Sequence, residues 1–431
     1  MNILRYLMES RGPLNAMHRL PRIVGRFGLT SGKIEAAVNQ FVSITASHSC
    51  TPTLTVTAIV LERNANFFRE LSNHAELAVH GYVHTDYSLL AEEVQMEHMQ
   101  RALAIFHEAG IQPSGFRCPY FRWNSSSVKV AAQAGLQYGS NGVIAWPVVA
   151  ESTVGHNAWL AYEKGLNLYN SHPWFERLNL PDVFEDILLD IPASLPDDEA
   201  IVDRLQLGRA ASRDEIWPAM LDLIHERGEL FTLSLHNERV PICAGGLDAV
   251  LQRAGEMKPG VWVAPLREIA DWWTRRRTWR LDVRHIEGAE FELSYPVSEG
   301  DLTLVARGAE SLREDTRWFG DYHRIETGTT RLRFPRAPLI EVAPDCSPRM
   351  VLFLQQEGFA VGARGSGGLS IEGFREFREE DKRPLLDLIE ASDAPLVRLW
   401  RWPRSNRSAL SITGDIDSMT LIDFFRRPFE V

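Results

Sequence analysis

Apolar positions follow a helical period in some stretches of the first two thirds of the chain and an extended one in others. From Thr30 to Thr45, Ile34, Ala37, Val38, Phe41 and Ile44 recur at helical spacing behind Ser31, a candidate N-cap. Thr53 to Val60 is rich in β-branched residues and predicts a strand; Asn66 to Asn73 predicts a helix leading to the apolar run Leu77-Ala78-Val79. Ser88 to Ala109 is an amphipathic helix closed by Gly110, and Ser127 to Ala134 closes the same way on Gly135. Further strands are expected from Gly115, at Ile187 to Pro192 and at Leu230 to His236. Helices are expected at Ile216 to Arg227, stopped by Gly228, and at Leu266 to Trp273, where Arg275, Arg276 and Arg277 suit the C-terminal end of the helix dipole. Strands alternating with helices predict a parallel sheet.

Beyond Thr278 the pattern shortens. Thr278 to Val283, Glu290 to Tyr295, Leu302 to Arg307, Thr330 to Phe334, Leu339 to Val342 and Met350 to Leu354 read as short strands separated by turns, as in a β-sandwich. Gly362 to Gly368 lacks the Lys-Ser/Thr of a phosphate loop and reads as a flexible linker. A helix at Asp381 to Glu390 and a stretch at Pro395 to Trp402 lead to a last strand that starts at Ala409. The expected organisation is residues 1–278 as the main α/β part, 279–380 as a β-rich part for packing or substrate support, and 381–431 as a helix and strand that return to the first part. Val148 to Pro181 reads as a long loop. Its Trp159, Tyr162, Tyr169, Trp174 and Phe175 either stack on sugar rings or form a small core of the loop itself. Pro196-Asp197-Asp198-Glu199 reads as a solvated, helix-capping turn, with hydrogen bonding to substrate hydroxyls as the alternative.

Composition narrows the function. At 431 residues, 45% hydrophobic and 24% charged, the chain has room for two globular parts. A net charge of −11 argues against a nucleic-acid partner. Four scattered cysteines without a C-x-x-C suggest free thiols in a reducing compartment. The first eleven residues are too short and too charged for a signal peptide, and no apolar run approaches the roughly 18 residues of a membrane span. A cytoplasmic protein is expected. At its N-terminus a helix packed on a barrel is expected, with an amphipathic anchor to the inner membrane face as the alternative.

Four strand-like runs end in polar groups that suit one chemistry. His80 and His84 stand i, i+4 at the first, Arg117 ends the second, His236 ends the third, from Leu230, and Asp415 and Asp417 end the last. On a helical turn the two imidazoles would converge on one divalent ion. Among 13 histidines such a pair alone is as readily a solvated or core-edge pair, and Arg117 or His236 alone as readily an ion pair or a satisfied core histidine. Apolar strands ending in His, Arg, His and paired Asp together describe the active face of an α/β barrel, where chemistry collects at the strands' C-terminal ends.

These motifs, His80-x-x-x-His84, Arg117-x-Pro119-Tyr120, Leu-x-His236 and Asp415-x-Asp417, resemble those of the NodB-homology polysaccharide deacetylases. The resemblance spans roughly residues 20–278 and 405–431. It implies a distorted (β/α) barrel with an inserted β-rich, sandwich-like part. In that family the Asp motif opens the domain, whereas here it follows the histidine pair by about 330 residues, which implies a circular permutation completed by the C-terminal strand. The barrel closes within one chain, or by strand exchange in a homodimer. His80, His84 and Asp417 would hold a divalent metal, Zn²⁺ foremost, with Co²⁺, Ni²⁺ or Mn²⁺ as alternatives. Asp415 would be general base and Arg117 its partner, His236 general acid, and Tyr120, with Trp123 and Asn141, would contact substrate. Where the family usually carries an Asp, this chain has Ser140 and Asn141, so no partner for His236 is evident there. The implied activity is hydrolysis of an N-acetyl amide on a sugar, polysaccharide or glycolipid precursor. The alternatives are an amidase or deformylase acting on a lipid- or nucleotide-linked sugar or a small cyclic amide, and a carbohydrate-binding module without catalysis.

Overall fold

The computed structural model describes residues 24–184, 186–207, 214–296, 298, 300–310, 312–427 and 430. The expected N-terminal helix or anchor in the first eleven residues lies outside them. In the first part the chain runs α1 (Gly32–Ser47), β1 (Thr53–Val56), α2 (Ala58–Arg63), α3 (Ala65–Leu71), β2 (Glu76–Val79), α4 (Glu92–Glu108), β3 (Gly115–Phe116), α5 (Ser125–Gln133), β4 (Tyr138–Gly139) and β5 (Val143–Ala145). It continues through α6 (His156–Leu168), β6 (His172–Pro173), β7 (Asp182–Phe184), β8 (Leu188–Asp190), β9 (Ala193–Leu195), α7 (Ile216–Arg227), β10 (Leu230–His236), α8 (Val240–Glu256), β11 (Val261–Val263) and α9 (Leu266–Arg276).

These elements form an α/β fold whose main sheet has the order β10-β22-β1-β2-β3-β4-β8-β7. The strand at its heart is the last of the chain, β22 (Ser408–Ile416). It pairs in parallel with β10 along one edge, and with β11 and then β1 along the other. All nine of its residues are buried. The period of two explains why: Leu410, Ile412 and Ile416 enter the apolar core on one face, while Ser411, Thr413 and Asp415 occupy the other. Among the described strands of this sheet only β7, at the far edge, runs antiparallel.

Among the described residues the ladder does not close on itself. β5 and β9 pair with each other in a small separate sheet, and side chains span the gap from β9 to β10. Asn179 donates from Nδ2 to Ser194 Oγ at 2.8 Å and accepts through its backbone carbonyl from the Leu230 N–H at 2.9 Å. Asp198 accepts from the His236 N–H at 2.6 Å.

The second part holds β12 (Asp282–Glu287), β13 (Glu290–Ser294), β14 (Leu304–Arg307), β15 (Arg317–Phe319), β16 (Tyr322–Ile325), β17 (Arg331–Arg333), β18 (Ile340–Val342), α10 (Pro348–Gln356), β19 (Val361–Ala363), β20 (Leu369–Ile371), α11 (Lys382–Glu390) and β21 (Leu396–Leu399). Among the described residues they make three small sheets, of three, four and three strands. The core of this part takes in Trp272 and Trp273 of α9 together with Trp279, Trp400 and Trp402, so α9 packs here as well as behind the main sheet. Glu357 at the end of α10 is buried among Arg276, Arg398 and Arg401. Burial alone would raise its pKa, but the three guanidiniums hold it below the usual carboxylate range.

Several expected elements differ. Met350 to Leu354 is helical, because Ser347 caps the Arg349 N–H, Pro348 sits in the first turn, and Met350, Phe353 and Leu354 bury one face at i, i+3, i+4. The strand expected over Thr53 to Val60 stops at Val56, since the N–H groups of Ala58 and Ile59 leave the ladder for the carbonyls of Gly81 and Tyr82. The stretch from Val148 to Pro181 contains α6. Its Tyr162 and Tyr169 are buried in small cores, and Trp174 stacks on Trp146 with the Arg227 guanidinium 4.2 Å from its ring centre, so these aromatics serve packing. The glycines from Gly362 carry β19 and the turn into β20, two strands that flank β18, and Glu341 of β18 accepts the Gly367 N–H at 2.9 Å.

Candidate active site

His80 directly follows β2, and the chain there turns back on itself instead of forming a helix. Gly81 makes the turn at φ +79°, and a Cβ at that position would lie 2.6 Å from the Tyr87 hydroxyl. The following loop brings His84 beside His80, ring centres 5.3 Å apart. Asp417, just past β22, faces both: Oδ1 lies 3.4 Å from His80 Nε2 and Oδ2 3.3 Å from His84 Nε2.

The donor set fits a divalent cation on three counts. His80 Nδ1 donates to the Arg117 carbonyl at 2.9 Å, which leaves the lone pair on Nε2, toward Asp417. Burial, the largest influence, pushes the pKa of His84 well below 6.5 against the pull of Asp417, so its imidazole is neutral and able to ligate. Asp417 Oδ1 is buried without a hydrogen-bond partner among the described residues. Burial alone would raise the pKa of this carboxyl, yet the charges around it, the Arg427 guanidinium among them, hold it well below the usual carboxylate range. Arg427 lies 3.3 Å from Asp417 Oδ2 and bonds Ser418 Oγ from Nε at 2.8 Å; nothing in the sequence pattern had singled it out.

Asp415 stands on β22 opposite His236 on β10 and Thr55 on β1. Thr55 Oγ1 donates to its Oδ1 at 2.6 Å and Arg117 Nη1 at 2.8 Å. Burial favours the neutral carboxyl, but Arg117 foremost, with the His236 imidazolium, outweighs it and lowers the pKa. Arg117 is fully buried, and it also donates to Ser234 Oγ, Thr413 Oγ1, Ser140 Oγ and the Ser140 carbonyl.

The partner of His236 is Asp198, which the sequence pattern places in a solvated turn and the structure does not. It is fully buried and accepts from His236 Nδ1 at 2.8 Å. Burial would lower the pKa of this imidazole, but Asp198 raises it to about 10. The available signal was syntactic: Pro196-Asp197-Asp198 follows an apolar strand end, as the other polar groups of the site do.

Tyr120 adopts φ +60° and sets its ring edge-on to His84, centres 4.4 Å apart. The remaining expected substrate contacts are placed differently. Asn141 is buried, with Oδ1 accepting the Cys118 N–H at 2.8 Å and Nδ2 on Asp190 at 3.3 Å, so it latches strand ends together. Trp123 packs on Phe184, centres 4.7 Å apart, and lines a cleft of about 640 Å³ shared with Trp273 and Phe353. None of His80, His84, His236, Asp415 or Asp417 lines that cleft. The four cysteines are free thiols, and among the described residues no helix is long and apolar enough to cross a membrane.

Residues 31–139 match the family model described as polysaccharide deacetylase, a span holding His80, His84, Arg117 and Tyr120 but not Asp198, His236, Asp415 or Asp417. No curated protein matches the chain. Similar solved structures include a protein described as a polysaccharide deacetylase from Mycobacterium smegmatis, 22% identical, covering 55% of this chain and 76% of that one at a TM-score of 0.42. Another, described likewise and from Pseudomonas aeruginosa PAO1, is 20% identical and covers 56% and 73% at 0.43. A PuuE allantoinase is 18% identical and covers 56% and 72% at 0.42. Over residues 31–139 the chain thus carries a polysaccharide deacetylase domain of the NodB type.

Proposed function

We propose that the chain hydrolyses an N-acetyl amide on a sugar, polysaccharide or glycolipid precursor, releasing acetate and a free amine. The observation that carries this reading is the convergence of both His80 and His84 Nε2 atoms on one carboxylate, Asp417, beside the Asp415–Arg117 pair. His80, His84 and Asp417 would hold the divalent cation, Zn²⁺ foremost. When bound, such an ion supplies Lewis-acid polarisation of the amide carbonyl.

The chain's own residues supply the proton transfers. Asp415, kept ionised and aimed by Arg117 and Thr55, takes a proton from the attacking water. His236 gives the proton on Nε2 to the leaving nitrogen as the C–N bond breaks, while Asp198 holds its Nδ1–H. The Tyr120 N–H is the candidate donor to the oxyanion. Trp123 would reach only those parts of a longer substrate that enter its cleft.

Because β22 stands between β1 and β10, we read the family's opening strand as supplied by the C-terminus, a circular permutation closed within one chain. The β-rich stretch between α9 and α11 serves as the connecting part, and we place the protein in the cytoplasm.

Purified protein should contain about one divalent ion per chain and release acetate from N-acetylated sugar oligomers. The His80→Ala, His84→Ala double variant should be folded, metal-free and inactive, since catalytic sites contribute less to folding than structural ones. Full metal occupancy in that variant would sink the assignment.

A further inference from the structure

We propose that Asp197 is a positioning residue for the proton carried by His236, a second buried carboxylate behind Asp198 that keeps the imidazole protonated. The proposal rests on the reading of His236 as the acid. Orienting the imidazole takes one carboxylate, and Asp198 already provides it through Nδ1 and the His236 N–H. Asp197 is 1% exposed, and its Oδ1 accepts the Ala200 N–H at 2.8 Å, ahead of the π-helical turn Ala200–Arg204. Its Oδ2 is buried with no hydrogen-bond partner among the described residues. Donor atoms of Asp197, Asp198 and His236 lie within 4.8 Å of one another. The trio does not form an open ion site, because the 2.8 Å bond between Nδ1 and Asp198 already engages the imidazole nitrogen.

An unbonded carboxylate oxygen in a buried position is costly unless a cation stands near. Two cations do. The His236 imidazolium is one, and the other is Arg239, bonded to Asp203 and Glu238. Burial and Asp198 raise the pKa of Asp197 to about 6 against these cations, so it is ionised through the neutral and alkaline range where His236 holds its proton. The other groups facing the pair are Tyr162 from α6, Glu238 after β10, and Asp415 and His84 across the site.

Asp197→Asn removes the charge but keeps the volume and an oxygen for the Ala200 N–H. In the full-length chain the His236 imidazole, assigned by its loss in His236→Gln, is titrated by NMR. The expected result is a midpoint lower by on the order of one to two pH units in Asp197→Asn, as a unit charge at this separation requires. The alkaline limb of kcat/KM against pH moves down in step. Superimposable titrations of wild type and variant overturn the proposal. Should Asp197→Asn fail to fold, Asp197→Ser, which also offers an oxygen to Ala200, is judged by the same criterion. The titration needs no substrate: a chain that releases no acetate would contradict the deacetylase reading and leave this test intact.

Discussion

Arg117 ties four strands to one carboxylate, and the two residues proposed to handle protons differ in what they owe to such partners. Asp415 is held ionised by Arg117 and Thr55, whereas His236 is held protonated by Asp198. Asp415→Asn should therefore keep the metal and lose turnover, and His236→Ala should lower kcat by roughly 10²–10⁴-fold, the usual contribution of a positioned acid or base. Parallel metal analysis and acetate-release assays check both, and near-normal turnover in Asp415→Asn would place the base elsewhere. The raised pKa of His236 also predicts a pH dependence of stability. The folded chain holds a proton that the unfolded chain releases above about 6.5, so the Asp198–His236 pair contributes fully below that pH. Its contribution is lost as pH rises toward about 10, with a limiting slope of about 1.4 kcal/mol per pH unit. Asp198→Asn should flatten that slope in urea unfolding measured from pH 7 to 10. The sequence singled out His80, His84, Arg117, His236, Asp415 and Asp417 because each ends an apolar run. It concealed Asp198, since a Pro-Asp-Asp-Glu run looks solvated until the imidazole 38 residues on is folded against it.

At the scale of elements, local signals were reliable where periodicity was long and weak where tertiary contacts decided. The helices closed by Gly110, Gly135 and Gly228 stand as the pattern predicts, with those glycines at positive φ. Met350 to Leu354 is too short a run for its period to separate strand from helix, and the Ser347 cap with Pro348 carried the decisive information. The histidine pair teaches the same lesson. The i, i+4 spacing suggested a helical turn, but what joins the rings is a loop whose geometry depends on Gly81. Gly81→Ala places a Cβ against Tyr87 at positive φ, so metal affinity should fall at least about tenfold and stability by roughly 1–3 kcal/mol. Calorimetric metal titration together with thermal unfolding would check this, and unchanged affinity would show that the loop tolerates another path.

For the whole molecule, the decisive feature is that residues far apart in sequence share one sheet. Thr53–Val56 and Ser408–Ile416 pair in register, Thr55 against Asp415, across nearly the full chain length. Sequence distance hid nothing here, because a buried strand ending in Asp-x-Asp needs polar partners that only the other strand ends offer. The second part was less legible. Its sheets are small, its strands are three to six residues long, and α9 serves its core as well as the main sheet, so no composition shift marks the seam. The proposed function stands on Asp417 completing a metal site with His80 and His84. The most direct measurement is an anomalous difference map, collected at the zinc edge, from crystals of the full chain grown with Zn²⁺. One dominant peak is expected within roughly 2.0–2.2 Å of His80 Nε2, His84 Nε2 and an Asp417 carboxylate oxygen. A dominant peak elsewhere, or a map with no peak between these three residues, would contradict it.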